Sequence, residues 1–155
     1  MKLYIKQKAL SLKDQYSISD EKGEELYFAK GSARKGMRLT LYTAAQKAQD
    51  QQELGQLKRK RLSMAPCYRI YVSGEQIATI KMAVNAKNYK VSGLGWKVKG
   101  NRSLRSYEIS KGLGKIASIS KKTFTVGDAY ELDVREESEL LPALLILLAI
   151  DECWG

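Results

Sequence analysis

The chain has 155 residues, of which 44% are hydrophobic, and a formal net charge of +10 at pH 7. This composition excludes a disordered tail and indicates one folded domain over residues 1–155. The chain contains no histidine, which removes the commonest general base, and its two cysteines disfavour a disulfide framework. Residues 1–6 alternate apolar and charged side chains without an apolar leader, so we expect a cytoplasmic protein.

Alternating apolar and polar residues, separated by turn formers, predict about twelve short β-strands. We place them at residues 2–12, 15–20, 25–29, 37–42, 54–64, 68–72, 77–84, 89–92, 96–99, 107–110, 116–125 and 129–134. Residues 44–53 lack this alternation and are rich in Ala, Gln, Lys and Glu, which favour helix. We expect a loop there with a short exposed helix.

Three of the predicted strand–turn–strand units repeat one sequence pattern, at residues 5–18, 57–70 and 119–132. Each copy has an apolar start, a basic pair, a two-residue break rich in turn formers, and then a tyrosine. The tyrosines are Tyr16, Tyr68 and Tyr130. We interpret them as core or rim aromatics of the fold rather than as platforms for base stacking.

The last predicted element is an apolar helix over residues 140–150, which contain no polar or charged side chain. The run is about half the ~20 residues that a membrane-spanning helix needs. Ser138 is the predicted N-cap, and Pro142 falls in the first turn. Because a helix that is apolar all round must be buried on all sides, we predict a mainly β fold: a closed antiparallel barrel of about twelve strands around this helix.

Several segments resemble the LURP-one-related family, and the resemblance covers nearly the whole chain. They are residues 5–8 with Asp14, residues 16–20, residues 77–81, residues 116–122 with Asp128 and Tyr130, and the acidic-then-apolar helix that ends at Asp151. The resemblance implies the Tubby C-terminal-like fold, a twelve-stranded barrel threaded by a hydrophobic helix, to which the phospholipid scramblases are related. It implies no catalytic residues, and the phosphoinositide-binding motif of Tubby proteins has no match here. Pro66-Cys67 and residues 44–53 depart from the family pattern.

Motifs for catalysis are weak throughout the chain. Residues 112–117 fit G-x-G-x-x-A, but a strand follows them where a dinucleotide site needs a helix, so we predict a hairpin turn. Glu136, Glu137 and Glu139 precede a helix, where the macrodipole favours acids. Cys67 has no histidine to activate it, and Cys153 is interpreted as a packing residue. We therefore predict a non-enzymatic protein with no catalytic, cofactor or metal site.

The positive charge is concentrated in residues 81–122, where eleven Lys and Arg accompany one acid, Glu108. In the run 96–99, period two places Lys97 and Lys99 on one face of a strand. With residues from flanking turns, the candidate binding surface consists of Lys87, Lys90, Lys97, Lys99, Arg102 and Arg105. A solvated face without a partner is the alternative. The run 58–61, Lys-Arg-Lys-Arg, falls in a predicted strand and is interpreted as a solvated strand.

These observations predict a non-enzymatic binding module whose basic face engages an anionic surface, most simply acidic phospholipid headgroups. Such a protein would be cytoplasmic and peripheral to the membrane. One alternative is a nucleic-acid-binding protein that uses the same face. Another is a scaffold for a protein partner or a small molecule.

Overall fold

The computed structural model describes residues 1–8, 15–32, 37–83, 88–101, 103–124 and 127–154. The strands are β1 (Lys2–Gln7), β2 (Gln15–Ser19), β3 (Glu25–Gly31), β4 (Arg38–Thr43), β5 (Glu53–Arg59), β6 (Cys67–Val72), β7 (Glu75–Met82), β8 (Asn88–Ser92), β9 (Trp96–Asn101), β10 (Ser106–Lys111), β11 (Gly114–Phe124) and β12 (Gly127–Val134). One α-helix, α1 (Leu140–Trp154), follows them. Short 3-10 helices span Ala48–Asp50 and Glu137–Glu139.

The twelve strands form one closed antiparallel barrel, which confirms the predicted fold class. Each strand pairs with its neighbours in the sequence, and β1 closes the ring against β12, with Leu3 opposite Leu132 and Ile5 opposite Tyr130. Closure gives each of the twelve described strands a partner on both sides, so none of them offers a free edge on which a second chain could add a strand.

Side-chain alternation explains why the barrel closes around α1. In β1, Leu3 and Ile5 are buried, while their neighbours point outward. All residues of the helix from Ala143 to Ile150 are buried. At Gly55 in β5, a Cβ atom would lie 2.7 Å from the Tyr71 carbonyl oxygen and 2.9 Å from Leu145 Cδ1. Glycine therefore allows this strand to approach the helix closely.

One strand end was predicted too late in the chain. We expected the fifth strand to reach residue 64, but β5 ends at Arg59. The first strand was expected to reach residue 12; β1 ends at Gln7, and residues 9–12 lie outside the described residues. The partner strand β6 begins at Cys67, and the Lys60 N–H donates to the Cys67 carbonyl oxygen at 2.9 Å. Residues 60–66 therefore have no strand to pair with and form a loop, although their sequence still alternates.

The helix begins where it was predicted to begin, but its C-terminal boundary and its N-cap differ from the prediction. It begins at Leu140 and continues to Trp154, so Asp151 and Glu152 lie in its last turn. Ser138 is inside the preceding 3-10 helix, whose N-cap is Glu136, so the predicted Ser138 cap is wrong. Pro142 does lie in the first turn, and the short exposed 3-10 helix at Ala48–Asp50 confirms the prediction for residues 44–53.

Antiparallel order places alternate connections at opposite ends of the barrel. The basic end is the end that carries the connections after β1, β3, β5, β7, β9 and β11. Its described connecting residues are Lys8, Ser32, Met37, residues 60–66, Ala83 and residues 103–105. The acidic end carries the other connections, at residues 20–24, 44–52, 73–74, 93–95, 112–113 and 135–139. The helix starts at the acidic end and finishes at the basic end.

Candidate functional site

Three lysines lie side by side on the outer wall of the barrel, and we call Lys81, Lys90 and Lys97 the lysine row. Lys81 of β7 pairs directly with Lys90 of β8, which in turn pairs with Lys97 of β9. Directly opposed residues in an antiparallel sheet have Cβ atoms about 4.5–5.5 Å apart. All three side chains are exposed, so the row concentrates three positive charges on one strip of surface.

Lys99 extends the same outer face along β9. It lies two residues after Lys97, with Asn88 of β8 on one side and Glu108 of β10 on the other. Trp96 and Val98, which alternate with these lysines, point inward and are buried, which confirms the predicted alternation. A surface depression of about 460 Å³ lies against the same strands and is lined in part by Lys90, Lys97 and Lys99.

The lysine row differs from two other lysines of the wall, Lys2 and Lys122, in its surroundings. Lys2 and Lys122 both contact Glu131, at 3.8 and 3.6 Å. Within the described part of the chain, the ammonium groups of the row have no carboxylate oxygen within 4.0 Å. Like charges in opposed positions disfavour folding, and the row creates a positive potential that an external anion would relieve.

The structure brings together part of the predicted six-residue surface. Lys90, Lys97 and Lys99 share one face. Lys90 lies within β8, in agreement with the predicted strand 89–92, although we had grouped it with residues of the flanking turns. Lys87 and Arg102 lie outside the described residues. Lys81 was not among the predicted site residues, although it belongs to the same basic segment. The alternation of β7, with Ile80 inward and Lys81 outward, was the signal that could have found it.

Arg105 is separate from the lysine row. It lies in the turn before β10 with a φ of 47°, the left-handed region that few non-glycine residues adopt. With Tyr16, Tyr130 and Asp151 it lines a cavity of about 100 Å³ at the basic end of the barrel. Burial raises the pKa of Tyr130 to about 12; Asp151 adds to this rise and Arg105 opposes it. Arg105 thus faces the mouth of the barrel and not its outer wall.

The three repeated tyrosines surround the C-terminal end of α1. The Tyr16 hydroxyl donates to Asp151 Oδ2 at 2.7 Å and lies 2.9 Å from Glu152 Oε1. Burial raises the pKa of Tyr16 and of Tyr68, and the nearby helix carboxylates raise both further. Asp and Glu at this end oppose the helix dipole, so the tyrosine contacts offset an unfavourable charge. The interpretation of these tyrosines as core and rim residues is confirmed.

The cysteines have surroundings that suit packing. Cys67 is buried at the start of β6, and Cys153 packs partly buried against the core. Burial raises the pKa of the Cys153 thiol to about 12, which suppresses the reactive thiolate. Among the described residues, no cluster of three or more His, Cys, Asp or Glu side chains could hold a metal ion.

The apolar helix is too short to be a membrane span. It has 15 residues, and no helix in the described ranges combines the length and hydropathy that crossing a bilayer requires. Its burial inside the barrel accounts for its composition instead.

Comparison with known proteins identifies the family of this chain. The family model described as LURP-one-related matches residues 1–151. The chain is also similar to the uncharacterized protein YxjI of Bacillus subtilis (strain 168), with 26% identity over 154 residues that cover 97% of this chain and 92% of the relative. A match over nearly the whole barrel and its helix agrees with the resemblance carried by the repeated hairpins. The chain therefore belongs to the LURP-one-related family.

Proposed function

We propose that this protein is a non-enzymatic cytoplasmic module that binds an anionic membrane surface through the lysine row and Lys99. The observation that carries the proposal is the direct cross-strand pairing of Lys81 with Lys90 and of Lys90 with Lys97. Acidic headgroups would supply the counter-charge that the described neighbours of the row do not. Each lysine near such a membrane contributes about 1 kcal/mol, so four would give about 4 kcal/mol of reversible, salt-sensitive attraction.

The side chains on the outer face of β8 and β9 favour a membrane over a nucleic acid. Proteins that bind single strands combine a positive groove with exposed aromatic side chains on which bases stack. On β8 and β9, the aromatic residues Tyr89 and Trp96 point inward and are buried. The outer face of these strands therefore offers charge without a stacking platform.

A non-enzymatic role is supported by how the barrel interior is occupied. The helix α1 fills it, and the cavity at the helix end, about 100 Å³, is smaller than the roughly 300–1,000 Å³ of typical ligand pockets. Asp151 and Tyr16, which line this cavity, contact each other through a hydrogen bond.

Vesicle co-sedimentation tests the proposal. We compare phosphatidylcholine vesicles with vesicles that contain about 30% phosphatidylserine, at low and high salt. Replacing the row by glutamine, Lys81→Gln with Lys90→Gln and Lys97→Gln, should weaken binding to the anionic vesicles about 100-fold, from about 1 kcal/mol per lysine. The matched control replaces Lys2, Lys115 and Lys122 by glutamine, and should weaken binding less than 10-fold.

Two results would contradict the proposal. One is equal binding to neutral and anionic vesicles at low salt. The other is equal loss in the row variant and in its control, which would mean that net charge alone drives binding. A gel-shift titration with mixed oligonucleotides under the same salt conditions checks the nucleic-acid alternative; tighter binding to oligonucleotides than to vesicles would favour it.

A further inference from the structure

The basic end of the barrel exposes large apolar side chains. Leu62 and Met64, in the loop between β5 and β6, are fully exposed, and Leu104, in the turn between β9 and β10, is 69% exposed. Each lies beside cations: Lys60 and Arg61 precede Leu62, and Arg105 follows Leu104. Single exposed apolar residues are normal, but exposed apolar surface gathered in one region marks a site of contact with a protein or a membrane, and these three side chains share one end of the barrel.

We propose that the basic end of the barrel docks on an anionic bilayer, with Leu62, Met64 and Leu104 inserted at the boundary between headgroups and acyl chains. This inference rests on the proposed function and deepens it, because it states which part of the barrel faces the membrane. Apolar side chains that enter this boundary, flanked by Lys and Arg that remain among the headgroups, are the usual chemistry of peripheral membrane attachment.

Charge complementarity selects a membrane as the occupant of this surface. Among the described connecting residues of the basic end, Lys8, Lys60, Arg61 and Arg105 are basic and none is acidic. The helix contributes two carboxylates there, Asp151 and Glu152, and both are within hydrogen-bond distance of the buried Tyr16 hydroxyl. This end would be attracted to anionic lipid.

The acidic end has the opposite balance. Its basic connecting residues are Lys22, Lys47 and Arg135, while its acids are Asp20, Glu21, Glu24, Asp50, Glu136, Glu137 and Glu139. An anionic bilayer would repel this end. The long axis of the barrel would therefore orient in the field of the membrane before contact.

Two lysines of the row, Lys81 and Lys90, and the adjacent Lys99 are close enough to the basic end to act with it. Lys81 is one residue from the end of β7, and Lys90 and Lys99 are each two residues from the basic ends of β8 and β9. At about 3.3 Å per residue, these lysines lie roughly 3–7 Å from the ends of their strands. That is less than the Debye length of about 8–10 Å, so a bilayer in contact with the loops would attract these three lysines as well. Lys97 is four residues from the end of β9, roughly 13 Å, and is attracted less.

The test uses Leu62→Ser combined with Met64→Ser, because both side chains are outside the core and their loss should leave folding intact. We expect partitioning onto vesicles with about 30% phosphatidylserine to fall at least about 10-fold. The matched control is Leu113→Ser. Leu113 is also fully exposed and lies between Lys111 and Lys115, but in a turn at the acidic end. We expect this control to change partitioning less than about 2-fold.

A depth measurement provides a second, independent readout. Leu62→Trp and Leu113→Trp each report contact with lipid through fluorescence quenching by brominated phosphatidylcholine, after subtraction of the parent protein's signal. On anionic vesicles, the fluorescence emission of tryptophan at 62 should shift to shorter wavelength and be quenched. Tryptophan at 113 should do neither.

The outcomes separate this inference from the proposed function. If the parent protein does not distinguish anionic from neutral vesicles, the proposed function fails and the inference fails with it. If the row variant loses binding but the Leu62→Ser/Met64→Ser variant binds as the parent does and tryptophan at 62 is not quenched, the inference alone is overturned. It is equally overturned if the serine variant binds normally but converts a dimer to a monomer in light scattering, because the loop would then contact a second copy of the chain.

Discussion

At the acidic end of the barrel, several strands are joined by turns of two or three residues built on glycine, whereas the loop at the basic end between β5 and β6 runs for seven residues, 60–66. Gly74 and Gly112 have φ values of 79° and 59°, which glycine adopts without strain. Such turns project few side chains. The loop 60–66 instead presents two cations and two fully exposed apolar residues.

The two ends also stabilise the chain differently. At the acidic end, the terminal ammonium of Met1 donates to the Val134 carbonyl oxygen at 2.9 Å and lies 3.9 Å from Asp133. At the basic end, the Tyr16 hydroxyl binds the carboxylates of the last helical turn. Barrel closure thus depends on the strands and the helix, while the connections can carry different chemistry at each end.

The largest expected effect comes from breaking the core that both ends share. Leu147 lies in α1 and is 1% exposed. Leu147→Asp would bury a carboxylate without a partner inside the barrel, a penalty comparable to the whole stability of a typical domain, about 5–15 kcal/mol. We expect an insoluble or unfolded protein by circular dichroism. Leu113→Asp, at the surface, is the control and should fold. A soluble Leu147→Asp protein with a cooperative melt would contradict the central role of the helix.

An intermediate effect tests the tyrosine contact at the basic end. Burial raises the pKa of Tyr16 above its usual value near 10, and Asp151 and Glu152 raise it further. The folded state therefore keeps this proton at a pH where the unfolded state loses it. This contribution to stability is complete below about pH 10 and is lost as the pH rises above that value. Tyr130, with a pKa raised to about 12, acts with the same sign.

We expect Tyr16→Phe to lower the free energy of unfolding at pH 7 by about 1.5–3 kcal/mol, because hydrogen bonds to carboxylates are lost. Between pH 10 and 12 its stability should fall less steeply than that of the parent, by up to about 1.4 kcal/mol per pH unit. Urea unfolding at several pH values measures both effects. Tyr42→Phe is the control, because its ring stack on Phe28, with centroids 5.0 Å apart, is retained. Parallel pH profiles for Tyr16→Phe and the parent would contradict this prediction.

The smallest expected effect is on two lysines whose neighbours carry opposite charges. Lys90 lies between two other lysines, near the basic end, whereas Lys2 at the acidic end contacts Glu131 at 3.8 Å. Lys90→Gln should stabilise the protein by about 0.2–1 kcal/mol at low salt, since it removes like-charge repulsion. Lys2→Gln should destabilise it by about 0.2–1 kcal/mol. Urea unfolding measures both, and both differences should shrink in 1 M salt. If both substitutions change the free energy of unfolding in the same direction, charge repulsion within the row is not significant.

Much of the barrel could be predicted because its signals are local. Period-two alternation in β9 identifies Trp96 and Val98 as inward and Lys97 as outward without knowledge of any neighbour. The extent of β5 could not be read in this way. Its alternation continues beyond Arg59, but a strand lasts only as long as its partner, and β6 starts at Cys67.

By itself, the sequence determined that twelve strands enclose an apolar helix and that the positive charge is concentrated in residues 81–122. Alternation, turn residues and an uncharged run are properties of contiguous residues, so they survive without tertiary context. Only the tertiary structure decided that Lys81, Lys90 and Lys97 are neighbours, that Arg105 faces the helix end, and that Leu62 and Leu104 share one end of the barrel. These relations depend on hairpin register and on strand direction, which join residues far apart in the chain.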